Sequence, residues 1–578
     1  MKKTGKSFLL RWVLPGLLFL AGTQSGKTQQ RVLIDGKFDE WNTQNLIISD
    51  RTGDNGSANV DFRRIWMDED DDFLFFSMEL GNEINLQEQN SIELFIDTDQ
   101  NIATGILAGG IGADLLYHFG NRSGILYRNG NSNSVNHAAI GMVSAPTVSS
   151  ERFEFSISKS IISGNKISVF LRTGNGSGDS VGDNGGFEYT LKFNTPGLLP
   201  AYSLPKKDTG HLRIMTYNVL RDGIFSPSKS DNFRKIFKTL KPDIIGFQEI
   251  YDASAPDLCA LMESFLPSSP GQRWYCEKVT PDIFLVSRYP IVSANAIRGS
   301  SSSSAGNGQF LVDLSAKGFD LIQLLVAHLP CCENDLQRQG EVDAIMGAVR
   351  ASRFDLPEKT PLVIMGDMNF VGSGRQLQTF LTGDIEAENV HGPDFSPDWD
   401  FTNLEDAEPY NTGWPFTFTW NSPGSSFAPG KLDFIIYSGS VMEKTNAFVL
   451  NTAQLPQNLL AQNGLNGTEV SNASDHAPVV ADFNILKISG NSDLSADLSP
   501  LIYPNPASDF IFLETENLKD KNDFTFQILS QDGRVLSAGL APTGSAKINI
   551  EDLPSGYYLL RLISGGRTRT TKFVKAAF

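Results

Sequence analysis

Several short segments of the chain share one arrangement: an apolar run ends at, or borders, a side chain able to do chemistry. The runs 213–218, 244–248, 321–327, 361–365 and 434–437 bring Asn218, Glu249, His328, Asp367 with Asn369, and Asp433 to their ends, and Asp475 with His476 forms a sixth group. Carboxylates and carboxamides are the hard oxygen donors that a divalent cation of the Mg²⁺ type prefers. Histidine is the side chain whose ordinary pKa suits proton transfer near neutrality. Each group alone says little, because a lone acid after a strand is usually a solvated surface charge. Strands that bring their ends to one edge of a sheet would gather all of them in one cleft.

The elements needed to position these groups alternate between strand and helix. Asp231 reads as the cap of an amphipathic helix with Phe233, Ile236, Phe237 and Leu240 on one face. Lys241-Pro242-Asp243 breaks that helix, and 244–248 follows as a buried strand. Alternation of this kind over 208–486 predicts an α/β domain. The flanking blocks read differently. Residues 31–200 hold short alternating runs at 62–67, 73–80, 91–97, 153–157, 167–171 and 187–193, separated by Gly/Asn-rich loops, which predicts a β-sandwich. After a Ser/Asp/Gly linker at 487–500, runs at 510–513, 524–529 and 557–562 with turn signals at 531–534 and 554–556 predict a small antiparallel β-sandwich over 501–578. Residues 300–304 are a low-complexity serine loop.

Composition sets the outer limits. The chain has 578 residues, 40% of them hydrophobic, which supplies several cores and excludes wholesale disorder. Its formal net charge of −18 excludes a general basic coat for nucleic acid, although an acidic domain can still engage a polyanion through a local patch and a metal. Lys2, Lys3, Lys6 and Arg11 form a positive stretch before an apolar run at 12–21, which small residues follow. This is the pattern of a secretory signal peptide over 1–25, too short to span a bilayer. No later run reaches the length of a membrane span, so no transmembrane segment is expected. The four cysteines, Cys259, Cys276, Cys331 and Cys332, are too few for a disulfide scaffold and lack zinc-site spacing. Their pairing stays open between a strained vicinal bond at 331–332 and bonds from each of these to Cys259 or Cys276.

Taken in order, T-Y-N-V at 216–219, Q-E at 248–249, A-H-L-P at 327–330, G-D-M-N at 366–369, L-D-F-I-I-Y at 432–437 and S-D-H-A-P-V at 474–479 resemble the endonuclease/exonuclease/phosphatase superfamily, in its deoxyribonuclease- and sphingomyelinase-like branch. The resemblance implies a four-layer α/β sandwich, with two mixed sheets face to face and helices outside. It implies hydrolysis of a phosphodiester, which needs neutralised non-bridging oxygens, an in-line water and a protonated leaving group. On this resemblance Glu249 is the primary ligand of Mg²⁺ or Mn²⁺, helped by Asn218 and Asp475. Asp367 orients or activates water, and Asn369 holds a phosphate oxygen. His476, oriented by Asp433, meets the scissile phosphate, and His328 is a leaving-group acid. The lead substrate is extracellular nucleic acid, with a phospholipid headgroup second. An inactive surface binding protein would have lost a core residue, and none is missing. S-R-Y-P-I at 287–291 gives Arg288 a structural role, and the aromatics of 417–421 read as core.

Two further resemblances cover the flanks. D-G-K-F-D-E-W at 35–41 and D-T-D-Q-N at 97–101 resemble family-9-like carbohydrate-binding sandwiches, which implies carbohydrate as a partner. Oxygen donors at i, i+2 and i+4, here Asp97, Asp99 and Asn101, can surround Ca²⁺, while the plainer reading is a solvated turn. Trp41 and Trp66 read as core tryptophans before sugar platforms. Y-P-N-P-A at 503–507, D-G-R at 532–534 and L-P-S-G-Y-Y at 553–558 resemble the C-terminal sorting domain of the type IX secretion system of Bacteroidetes. That implies the secretion machinery as a partner and a secreted or cell-surface location. The expected whole is multidomain: a four-layer α/β sandwich between an N-terminal β-sandwich and a small C-terminal one.

Overall fold

The computed structural model describes residues 31–486 and 501–576, apart from 57–58, 175–177, 182–184, 193–196, 298–305, 354, 515–523, 531–533, 542–544 and 565–566. The signal peptide, the linker at 487–500, the serine loop at 300–304 and the turn at 531–533 lie outside the described residues.

The central part of the chain builds two mixed sheets. The first runs, in spatial order, Tyr275–Lys278, Phe284–Ser287, Ile244–Gln248, Leu212–Asn218, Val479–Ile485, Met442–Val449 and Tyr410–Asn411. The second runs Ile291–Ile297, Asn307–Asp313, Leu321–His328, Leu362–Asp367, Asp433–Tyr437 and Glu405–Asp406. Central strands are buried on both faces, which is why they read as nearly continuous apolar runs. Met215 and Ile245 of the first sheet and Val326, Val363, Met365 and Ile435 of the second fall in one buried cluster, so the sheets pack face to face. Gly246 sits at a close approach between them, where a Cβ would meet Met365 Cε at 2.9 Å. The helices Ser230–Leu240 and Ala255–Phe265 cover the outer face of the first sheet, with Phe233, Phe237, Leu258 and Met262 against Tyr217 and Phe247. Asp335–Ser352 and Arg375–Thr382 cover the second, with Ile345, Met346 and Phe380 against Leu325 and Ile364. The result is the expected four-layer sandwich.

Local details depart from the sequence reading. Asp231 does not cap its helix. Lys229 holds the N-cap position without a side-chain bond, and Asp231 lies in the first turn paired with Arg234 and Lys235. An acid there still complements the helix dipole. Cys259 and Cys276 are bonded to each other, tying the helix Ala255–Phe265 to the edge strand Tyr275–Lys278. Cys331 and Cys332 are exposed free thiols.

The N-terminal part is a β-sandwich of a five-stranded and a six-stranded sheet around Phe62, Met67, Phe76, Leu94, Tyr117 and Val169. Trp41 and Trp66 are only 6% and 4% exposed. Neither offers a face on which a sugar could stack. The sandwich is joined to the central domain by a shared apolar cluster. Val32, Ile34, Trp41, Trp66 and Phe73 pack there with Phe416 and Phe418. Ile34 pairs with Phe416, and its N–H donates to Pro415 O at 2.8 Å. The C-terminal part adds a three-stranded and a four-stranded sheet around Ile511, Ile528, Leu560 and Phe573. Among the described residues no helix is long and apolar enough to cross a membrane.

Candidate active site

Two parallel strand pairs, one in each sheet, carry Asn218 with Glu249 and His328 with Asp367 to the same place. Asn218 is in register with Gln248, so Glu249 follows directly beside it, and His328 is in register with Asp367. Asn218 Nδ2 then bridges the sheets, donating to Glu249 Oε1 and Asp367 Oδ2, both at 3.0 Å.

Asp367 stands between two histidine–aspartate dyads. His476 Nδ1 lies 2.8 Å from Asp433 Oδ2, and its Nε2 lies 3.6 Å from Asp367 Oδ2. His328 Nδ1 lies 2.6 Å from Asp282 Oδ2, and its Nε2 lies 3.8 Å from the same Asp367 oxygen. Both aspartate partners are fully buried. Thr419 Oγ1 fixes Asp433 by donating to Oδ2 at 2.7 Å, and it accepts the N–H of Leu432 and Asp433 at 2.9 Å. Asp282 was not singled out in the sequence. Its only local signal is that it directly precedes the apolar run 283–287.

Burial pulls the His476 imidazolium down, but the carboxylates of Asp433 and Asp367 outweigh it and leave the group pushed up to about 10. His328 is also raised: burial lowers it, and the bond to Asp282 and the charge of Asp367 prevail. Asp367 itself is raised to about 6 by burial, with His476 pulling the other way. Two imidazoles with raised pKa therefore flank a carboxyl that is itself raised to about 6.

The remaining sequence-nominated residues fall around this centre. Glu249 has φ 62°, and Leu220, Arg221 and Asp222 also lie in the left-handed region at φ 52°, 48° and 57°. Such conformations cost about 1–2 kcal/mol each for ordinary residues. Here they are held by Leu220 N to Asn218 Oδ1 at 3.0 Å, Arg221 N to Glu249 Oε2 at 2.9 Å and Asp222 N to Glu249 O at 2.8 Å. Asn369, at φ 49°, donates from Nδ2 to Leu329 O at 2.9 Å. Asp475 accepts from Trp420 Nε1 at 3.1 Å, and Ser474 Oγ donates to Asn218 O at 2.9 Å.

The donor set fits a hard divalent cation. Glu249 and Asp475 supply carboxylate oxygens and Asn218 an amide. Asp367, Asp433 and His476 present ligand atoms within 4.8 Å of one another. Asp433 Oδ1 and Asp475 Oδ1 are buried without a hydrogen-bond partner. Burying such an oxygen unpaired is costly, and a nearby cation would relieve that cost.

In the N-terminal sandwich, the carboxylates of Asp97 and Asp99 gather with that of Asp114 within 4.8 Å of one another, and Asn101 N donates to Asp99 Oδ1 at 2.9 Å. Asn101 Oδ1 accepts the N–H of Ala103 in an exposed turn. Asp114 sits on a neighbouring part of the sheet, where sequence spacing carries no signal. Arg288 stacks on Trp274 at 3.7 Å and donates to Ser268 Oγ and Leu266 O.

Residues 215–476 match the Endonuclease/Exonuclease/phosphatase family, and residues 501–576 match the Secretion system C-terminal sorting domain. Among solved structures, the human Nocturnin catalytic domain with bound sulfate is similar at 16% identity and TM-score 0.31, covering 48% of this chain and 95% of that one. Humanized D. rerio TDP2 is similar at 15% identity and TM-score 0.31, covering 48% and 100%. ANGEL2, a 2',3'-cyclic phosphatase, is similar at 18% identity and TM-score 0.34, covering 47% and 95%. No curated protein matches the chain. The sorting domain indicates type IX secretion to the cell surface or outside, a setting in which the Cys259–Cys276 bond persists. Residues 215–476 thus form an Endonuclease/Exonuclease/phosphatase family domain, and residues 501–576 a secretion sorting domain.

Proposed function

We propose that the protein is a secreted, divalent-metal-dependent phosphodiesterase whose substrate is extracellular nucleic acid. The observation that carries this reading is the pair of histidine–aspartate dyads facing Asp367 beside Asn218 and Glu249. A Mg²⁺ or Mn²⁺ ion held by Glu249, Asn218 and Asp475 would neutralise charge on the non-bridging phosphate oxygens. The chain's own groups do the rest. Asp367, with its pKa near 6, is ionised at neutral pH and basic enough to take a proton from the attacking water. His476, cationic and fixed by Asp433, donates to a non-bridging oxygen. His328, fixed by Asp282, gives the proton to the leaving oxygen. The second amide N–H of Asn369 meets the phosphate.

The test uses the secreted chain with plasmid DNA, sphingomyelin and bis-p-nitrophenyl phosphate. DNA cleavage should stop with EDTA and return with Mg²⁺. Glu249→Ala and His476→Ala should each lower kcat by about a hundredfold or more while the fold is kept. Absence of turnover on all three substrates would remove the enzyme reading, and parent rates in either variant would remove the site. One observation favours a phospholipid headgroup as the second reading. An open groove of about 800 Å³ is lined by Asp222, Asp252, Asp257, Phe225 and Leu261, Asp222 being bonded through its N–H to Glu249 O at 2.8 Å, and its acids suit a cationic headgroup better than a polyanion. Turnover of sphingomyelin without DNA cleavage would select it.

A further inference from the structure

Residues 414–421 present two faces with different duties. Phe416 and Phe418 are buried in the cluster built largely by the N-terminal sandwich. Thr419 and Trp420, from the same segment, hold Asp433 Oδ2 and Asp475 Oδ2. The segment also accepts Ala477 N on Thr419 O at 2.7 Å, directly beside His476. The side chains that set two carboxylates of the centre therefore stand on a strip whose back is covered by another domain.

The loop that follows is clasped by the same domain. Asn136 Nδ2 donates to Pro423 O at 2.9 Å, and Ala428 N donates to Gln87 Oε1 at 2.7 Å. The Arg122 guanidinium lies 4.0 Å over the Phe427 ring. Gly430 O accepts from both Thr419 N and Trp420 N at 3.0 Å, while a Cβ on Gly430 would meet Thr147 Cγ2 of the sandwich at 2.7 Å. Across the centre, the loop after Asn369 is held by Ser149 N to Gly372 O at 2.7 Å and Asn85 Nδ2 to Val371 O at 3.0 Å.

We propose that residues 31–200 are a positioning module of the enzyme: they set Asp433 and Asp475 through Thr419 and Trp420, and Asn369 through the loop behind it. This rests on the phosphodiesterase reading above. Displacements near 1 Å in such a centre cost up to about a hundredfold in rate. Arg122, Asn136 and Thr147 act on the clasped loop and not on the reacting atoms, so they are positioning residues; Arg122 also braces Gln87, donating from Nη1 to its carbonyl at 2.7 Å.

The test compares the full chain with Arg122→Ala/Asn136→Ala and with Gly430→Val. Amide exchange over 417–428 should quicken in both. The kcat on bis-p-nitrophenyl phosphate should fall about tenfold with KM unchanged, and the Mg²⁺ needed for half-maximal rate should rise. Adding Thr147→Ala should return most of the rate to Gly430→Val by removing the methyl that the new side chain strikes. Unchanged exchange in both variants would overturn the proposal, as would faster exchange with parent kinetics and Mg²⁺ dependence. A parent without turnover would instead defeat the phosphodiesterase reading, and exchange at 417–428 would still decide whether the sandwich holds the segment.

Discussion

Asp367 Oδ2 is the atom on which both dyads converge, and that gives Asp282 the same standing as Asp433. Each aspartate fixes one imidazole nitrogen and leaves the other pointing at Asp367. Asp282→Asn keeps the size and removes the charge that fixes the Nδ1–H of His328. Its kcat should fall about a hundredfold with the melting temperature near the parent value, and a parent kcat would show that His328 needs no partner. At this scale the sequence was legible where a chemical group closes an apolar run, as with Asn218, Glu249 and Asp367, which the fold brings together. Asp282 was not, because it lies at the start of its run, 46 residues from the histidine it serves. Sequence spacing does not carry a contact across two sheets. The same limit hid Asp114, whose carboxylate joins those of Asp97 and Asp99.

Elements were legible where periodicity is local. The apolar run 244–248 is the strand Ile244–Gln248, and the run 153–157 lies inside Ser150–Ser158. Ends were less so: Asp231 has the composition of a cap but sits two residues past the N-cap position, while Ser254 with Asp257 forms the capping box of the next helix. Cysteine pairing is a distance in space, and it emerged only with the fold. The Cys259–Cys276 bond closes a loop of sequence separation 17 between a helix and an edge strand of the first sheet. Loops of that length gain about 3 kcal/mol from closure. Reduction with a phosphine should therefore lower the melting temperature by several degrees, and an unchanged melt would show the bond to be idle.

For the whole molecule, the sequence separated 31–200 from 208–486, whereas the folded chain buries side chains of both in one cluster. Phe418 reads as core from the sequence, and nothing in its spacing tells whose core. A shared core links unfolding, so the sandwich and the enzyme domain should melt together in one calorimetric transition. Two resolved transitions for these parts would contradict the shared core. The sorting domain has its own cluster, drawn from residues 507–573, and should contribute a separate transition. The acidity of the chain also takes on a local meaning, since Asp367, Asp433 and Asp475 are buried or partnered within the centre rather than spread over a surface.

The approach of Gly430 to Thr147 bears on how freely the two modules could be recombined. A methyl on Gly430 would meet Thr147 Cγ2 at 2.7 Å, so the sandwich and the strip fit only while that side chain stays small and in place. Grafting a foreign sandwich should bring a misfit to the strip beneath the carboxylates. Removing the sandwich should expose Phe416 and Phe418 to water, and an isolated enzyme domain should then stay soluble only with polar residues at both positions.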